Sequence, residues 1–105
     1  MPRLTRPPGM PQEVSDAIEL IGNRARAQIL HELAVRGPLS APDLAELLGA
    51  RRETVHTHLV VLEDAGLVVA DEPAGRRAGR AVRWRTDVTA VRCHVSELQR
   101  FLIGD

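Results

Sequence analysis

A mainly helical domain with a small β-hairpin, an α+β arrangement in the order α-α-α-α-β-β-α, is predicted by three features of this chain. Apolar residues recur at helical spacing in successive stretches between Gln12 and Ala65, each fenced by Gly, Pro, Asn or Ser. The pattern then shortens to two strand-like runs around DEPAGRRAGR, a loop whose glycines and proline suit a turn. A last amphipathic stretch, from about Val88 to Ile103, returns to the helical period.

The elements follow in order. MPRLTRPPGMPQ holds four prolines in its 12 residues and is expected to be an extended, mobile arm covering 1–12, followed by a single domain over 13–105. Val14, Ala17, Ile18 and Ile21 mark a first helix that ends near Gly22. Asn23 suits the N-cap of a second, in which Ile29, Leu30 and Leu33 face inward until Gly37 and Pro38 stop it. Ser40 caps a third, with Asp43 near the positive end of its dipole and Leu44, Leu47 and Leu48 on its inner face. Gly49 supplies a turn, and a fourth helix runs from about Arg51 to Ala65 before Gly66. Leu67 to Ala70 and Ala81 to Thr86 are the predicted strands.

Composition excludes more than it assigns. At 105 residues, with 44% hydrophobic and 27% charged, the chain suits one core and has no room for a second. Its 14 basic and 14 acidic residues cancel, so any case for a nucleic-acid partner must rest on where the charge lies. Every lysine-or-arginine position is arginine, a bias that a GC-rich genome also produces. The lone Cys93 excludes an internal disulfide and fits a reducing compartment. With no signal-peptide-like or membrane-spanning apolar run, a cytoplasmic protein with no membrane partner is expected. An enzyme is not expected: there is no glycine-rich phosphate loop, no nucleophile beside an evident base and no carboxylate pair in an evident pocket.

The chemistry concentrates in SAPDLAELLGARRETVHTHLVVLEDAGLV. Ala45 is small where two helices would cross, and Gly49 four residues later can adopt the angles of a sharp turn. Val55, Leu59 and Leu62 turn one face of the fourth helix back onto Leu44 and Leu48. The opposite face carries Glu53, His56, Thr57 and Val60, with Arg52 and Thr54 at its margins, while Glu63 and Asp64 lie at the far end. This is a helix-turn-helix whose fourth helix offers its first turns to the major groove. Between Gly75 and Arg85 stand five arginines and no acid. Strand alternation places Val82 and Trp84 inward and Arg83 and Arg85 outward, leaving Arg76, Arg77 and Arg80 at a loop tip, free to reach phosphates or a narrow minor groove. The two features side by side predict a winged helix, its DNA contacts being Arg51, Arg52, Thr54, His56 and Thr57 on the helix and Arg76, Arg77 and Arg80 on the wing. Arg3 and Arg6 would extend the contact if the arm reached DNA.

IGNRARAQILHELA, LSAPDLAELLGARRETVHTHLVVLEDAGLV and GRAVRWRTD, in this order, resemble the ArsR-type winged-helix repressors over most of residues 14–103. The resemblance implies a small bacterial homodimer, joined by its first and last helices, that binds a palindromic operator until an effector releases it. It also implies base contacts from Arg52, Thr54, His56 and Thr57, a wing around Arg76 to Arg80, and a structural role for His58 and Leu59. Two departures qualify it. Arg51 stands where the family often has a capping serine, and SAPDLAELLG lacks the cysteine pair of the metal-sensing members. Cys93, His94 and Glu97 on the last helix fall short of a ligand set, since Asp87 is followed by Val88 and Thr89 and the aspartate-x-histidine half is missing. No metal and no cofactor are expected; an effector would be of a class the sequence does not name. His31 reads as a surface histidine.

Val88, Val91, Val95, Leu98 and Leu102 form a three-four stripe on the last helix, predicted to pair with the same helix of a second copy. The expected function is thus a sequence-specific regulator of double-stranded DNA, a dimeric repressor reading an inverted repeat. Two alternatives stay open: a winged helix that binds only protein, and an architectural DNA-binding factor.

Overall fold

The computed structural model describes residues 6–77 and 81–104. Arg3, at which the arm was expected to touch DNA, and Arg80 of the wing lie outside the described residues. The elements are α1 (Gln12–Ile21), α2 (Arg24–Arg36), β1 (Leu39–Ser40), α3 (Ala41–Leu48), α4 (Arg52–Asp64), β2 (Val68–Ala70), β3 (Arg83–Thr86) and α5 (Val88–Ile103), with a 3-10 turn at Ala74–Arg76 between β2 and β3.

Local chemistry sets most of these boundaries. The Asn23 side chain accepts from the Arg26 N–H at 3.1 Å, capping α2. Ser40 and Asp43 form a reciprocal capping box at α3, where each satisfies the other's backbone N–H. Asp87 accepts from the Ala90 N–H and starts α5 immediately after β3. Gly49, at φ +65°, ends α3 in the left-handed region, and the Ala50 N–H closes the turn on the Ala45 carbonyl at 3.0 Å. The same closure recurs after α4, where Gly66 has φ +80° and the Leu67 N–H reaches Leu62. α4 itself begins at Arg51 with no side chain capping it, as the departure from the family's serine implied.

The expected helices are present, and the hairpin is one strand richer than expected. β1 pairs antiparallel with β3, Leu39 opposite Trp84, so the sheet order is β1-β3-β2. Two residues, the second of them the α3 cap itself, are too few to show strand alternation. β2 pairs with the other edge of β3, Ala70 opposite Trp84. The arm also differs from a uniformly extended segment: the Met10 N–H donates to Pro7 and the Arg6 guanidinium to the Met10 carbonyl, making a turn before α1.

The core lies where α2, α3, α4 and the sheet converge. Ile29, Leu44, Val55, Leu59, Leu62, Leu67 and Trp84 are buried there, the inward face expected of α4 and the expected anchor of β3. Leu47 departs from its expected place. In an eight-residue helix Leu44 and Ala45 turn fully inward and Leu48 partly so, leaving Leu47 at the margin and exposed. α1 buries Val14 and Ala17, and α5 packs along it. No described residue of α5 is buried. Val91 rests against the core, whereas Val88, Val95, Phe101, Leu102 and Ile103, together with Ile18 of α1, stay open to solvent.

Candidate nucleic-acid interface

The outward face of α4 is set by what its inner face must bury. With Val55, Leu59 and Leu62 fixed in the core, the helical period carries Arg52, Glu53, Thr54, His56 and Thr57 into solvent, and all five are exposed, as is Arg51 at the uncapped N-terminus. The Thr57 hydroxyl donates to the Glu53 carbonyl at 2.9 Å, which commits its hydrogen to the helix and leaves its lone pairs and methyl facing outward. The Arg51 side chain makes no capping hydrogen bond to the first turn of α4, so that end combines two arginines with the positive end of a helix dipole.

Beside this face stands the wing. Trp84 of β3 is 1% exposed and sits between two of the side chains expected to contact DNA. His56 meets its ring edge-on, centroids 6.5 Å apart at 79°. The Arg77 guanidinium lies over the ring, 4.9 Å from its centroid. Between the start of α3, His56 and β3 runs a cleft of about 290 Å³, bordered by Ser40, Pro42, His56, Arg77, Val82 and Trp84.

The expected wing arginines do not behave alike. Arg76 closes the 3-10 turn with its backbone, its N–H donating to Pro73, and its side chain is exposed. Arg77, expected free at the loop tip, is instead folded back. Its Nη1 and Nη2 donate to Glu63 Oε1 and Oε2 at 3.1 and 2.5 Å, and its Nε donates to the Glu72 carbonyl. The physical reason is the carboxylate at the far end of α4: the chain reversal into the hairpin brings Glu63 against Arg77. The paired hydrogen bonds and charge of Glu63, aided by the charge of Asp71, outweigh burial and raise the Arg77 pKa above its ordinary value. Arg83 and Arg85 point outward, and the backbones of Arg83 and Asp71 close the hairpin, with the Arg83 N–H donating to Asp71 Oδ1 at 3.0 Å.

His58 has the structural place expected of it, and sequence reading missed its partner. Arg26 donates from Nε to the Leu20 carbonyl at 3.0 Å and from Nη2 to the Glu19 carbonyl at 2.7 Å, tying down the end of α1. Its Nη1 lies 3.3 Å from His58 Nδ1 on α4. Burial first, and the Arg26 charge second, lower the His58 pKa. No sequence signal links positions 26 and 58; only the crossing of α2 with α4 does.

Elsewhere the chemistry is sparse. Cys93 is free and exposed on α5, His31 is exposed, and among the described residues no group of three or more His, Cys, Asp or Glu is placed to hold a metal ion. No helix among the described residues is long and apolar enough to cross a membrane.

Comparison with known proteins agrees with this architecture. A family described as "Helix-turn-helix domain" matches residues 21–69. The HTH-type transcriptional regulator NmtR of Mycobacterium tuberculosis is 37% identical over 70 residues, 67% of this chain, and the match spans 53%, about half, of NmtR's own length. Among solved structures, a possible transcriptional regulator for arsenical resistance superposes with a TM-score of 0.63 at 26% identity, over 86% of this chain and 96% of that one. The antimony-specific transcriptional repressor AntR superposes with a TM-score of 0.64 at 26% identity, over 89% of this chain and 80% of its own. These relatives are described as transcriptional regulators and not as enzymes. By its helix-turn-helix, its three-stranded wing and these likenesses, the chain is a winged helix-turn-helix protein similar to the ArsR-type transcriptional regulators.

Proposed function

We propose that the protein is a sequence-specific double-stranded DNA-binding repressor that acts as a homodimer on an inverted repeat in the cytoplasm. The observation that carries this reading is the exposed polar face of the first turns of α4 beside an exposed wing arginine. Arg51, Arg52, Thr54, His56 and Thr57 occupy the half of the helix nearest its uncapped N-terminus, the half that a recognition helix lays against base edges. Phosphate oxygens would supply the missing caps of its first turn, with Arg51 and Arg52 at the same end. Arg76 adds a phosphate or minor-groove contact from the wing, and Arg80 belongs to the same expected contact.

The apolar residues left open on α1 and α5 support the dimer. Ile18, Val88, Val95, Phe101, Leu102 and Ile103 are too many large side chains to leave in water on so small a chain. Of the expected stripe, Val88, Val95 and Leu102 remain available to a second copy, while Val91 and Leu98 are partly covered within the chain. Two linked recognition helices about one DNA turn apart would multiply modest half-site affinities. AntR is by its name antimony-specific; α3 of this chain has no cysteine, so that specificity is not carried over, and the effector is an independent question.

The test is fluorescence anisotropy with the intergenic duplex upstream of the protein's own gene and with a scrambled duplex, at low and near-physiological salt. Preference for the native duplex that persists in salt supports the repressor. Equal, salt-fragile binding to both supports an architectural factor, and no binding at low salt supports a protein-interaction module.

A further inference from the structure

We propose that Arg77 is a positioning residue which locks the root of the wing to the recognition helix through Glu63 and Trp84, so that wing and helix meet DNA as one body. The inference rests on the DNA-binding reading above and assigns to Arg77 a task other than contact with phosphate.

Three partners converge on one guanidinium. Glu63, on the last turn of α4, takes both terminal nitrogens; the Glu72 carbonyl, in the strand-to-wing turn, takes Nε; and the Trp84 ring, on β3, takes the cationic face. The two side chains are largely shielded, 18% exposed for Arg77 and 28% for Glu63, so water competes weakly for the pair. A planar fork is what this site requires, because a bidentate carboxylate and a stacked ring are satisfied together only by arginine. Trp84 in turn meets His56 of the base-facing surface edge-on. A continuous chain of contacts therefore runs from the wing root through Arg77 and Trp84 to His56, and through Glu63 to the end of the same helix.

This geometry separates the two arginines of the expected wing contact. A phosphate-gripping arginine releases counterions, so its loss flattens the dependence of log affinity on log salt. A positioning arginine, already neutralised by Glu63, contributes to affinity without contributing to that slope. Glu63 provides a test of opposite sign. If Arg77 gripped phosphate, removing the competing carboxylate would free it and tighten binding; if Arg77 positions the wing, the same change loosens binding.

The experiment uses Arg77→Ala, Glu63→Gln, the double variant and Arg76→Ala in the full chain, against the fluorescein-labelled intergenic duplex over a salt series. Arg77→Ala and Glu63→Gln should each weaken binding about tenfold with the wild-type slope, and the double variant should be no weaker than Arg77→Ala alone. Arg76→Ala should lower the slope by about one. Acrylamide quenching of Trp84, the single tryptophan, reads the lock without DNA and should rise in both Arg77→Ala and Glu63→Gln. A slope lowered by Arg77→Ala, tighter binding by Glu63→Gln, or unchanged Trp84 quenching in both variants would overturn the proposal. Failure of the wild type to bind DNA would remove the repressor reading, and raised quenching in the variants would still establish the lock.

Discussion

Leu102→Ala tests whether the open face of α5 is a seam between copies. In the single chain Leu102 is 69% exposed. Truncation removes roughly three carbon groups at about 0.8 kcal/mol each when they would otherwise be buried. Scaled by that exposure and doubled because a symmetric dimer contains the residue twice, the loss is about 3 kcal/mol, about a hundredfold in the dimer dissociation constant. Sedimentation equilibrium over nanomolar to micromolar protein measures it, and circular dichroism should show an unchanged helix content, since Leu102 covers nothing in the core. A wild type that is monomeric at micromolar concentration, or a variant that dimerises as tightly as the wild type, would refute the assignment of this face.

Three further outcomes are expected. Gly49→Ala should lower the free energy of urea unfolding by about 1–2 kcal/mol, entirely from the left-handed backbone, because an added Cβ would meet no atom within 4 Å. Stability should fall as pH drops below 6.5: the folded state holds the His58 pKa lower than the unfolded chain does, so the unfolded chain binds the extra proton, and a pH series of thermal melts should lose that part of its slope in His58→Gln. His56→Ala and Thr57→Ala should reorder affinities among duplexes with single base changes, by about 1–3 kcal/mol at one position, and a uniform loss across all duplexes would place both residues on the backbone instead.

The parts of the fold legible in the sequence are those governed by neighbours along the chain. Asn23, Ser40 and Gly49 act over a few residues, and each caps or turns where its chemistry says it should. The apolar period placed Val55, Leu59 and Leu62 inward and thereby fixed the outward set on α4. What could not be read depends on positions brought together by folding. β1 is too short to show a period and exists only because β3 offers it an edge. The tie between Glu63 and Arg77 crosses the hairpin, and that between Arg26 and His58 crosses two helices. In both cases a charged residue that looks solvated in the sequence is occupied in the structure. The composition of an arginine-rich segment thus reports how many cations are present and not how many are left to bind.

The Arg26 bracket bears on how the protein would measure its operator. One guanidinium fastens the end of α1, on the side proposed to face the second copy, to the middle of the recognition helix. In the proposed dimer the separation and twist between the two reading heads are then fixed by a rigid strut rather than by a hinge. Each base pair inserted between half-sites rotates one of them by roughly 35° about the duplex axis. A protein braced in this way has little freedom to follow that rotation, so the length of the gap becomes as much a part of its address as the bases on either side.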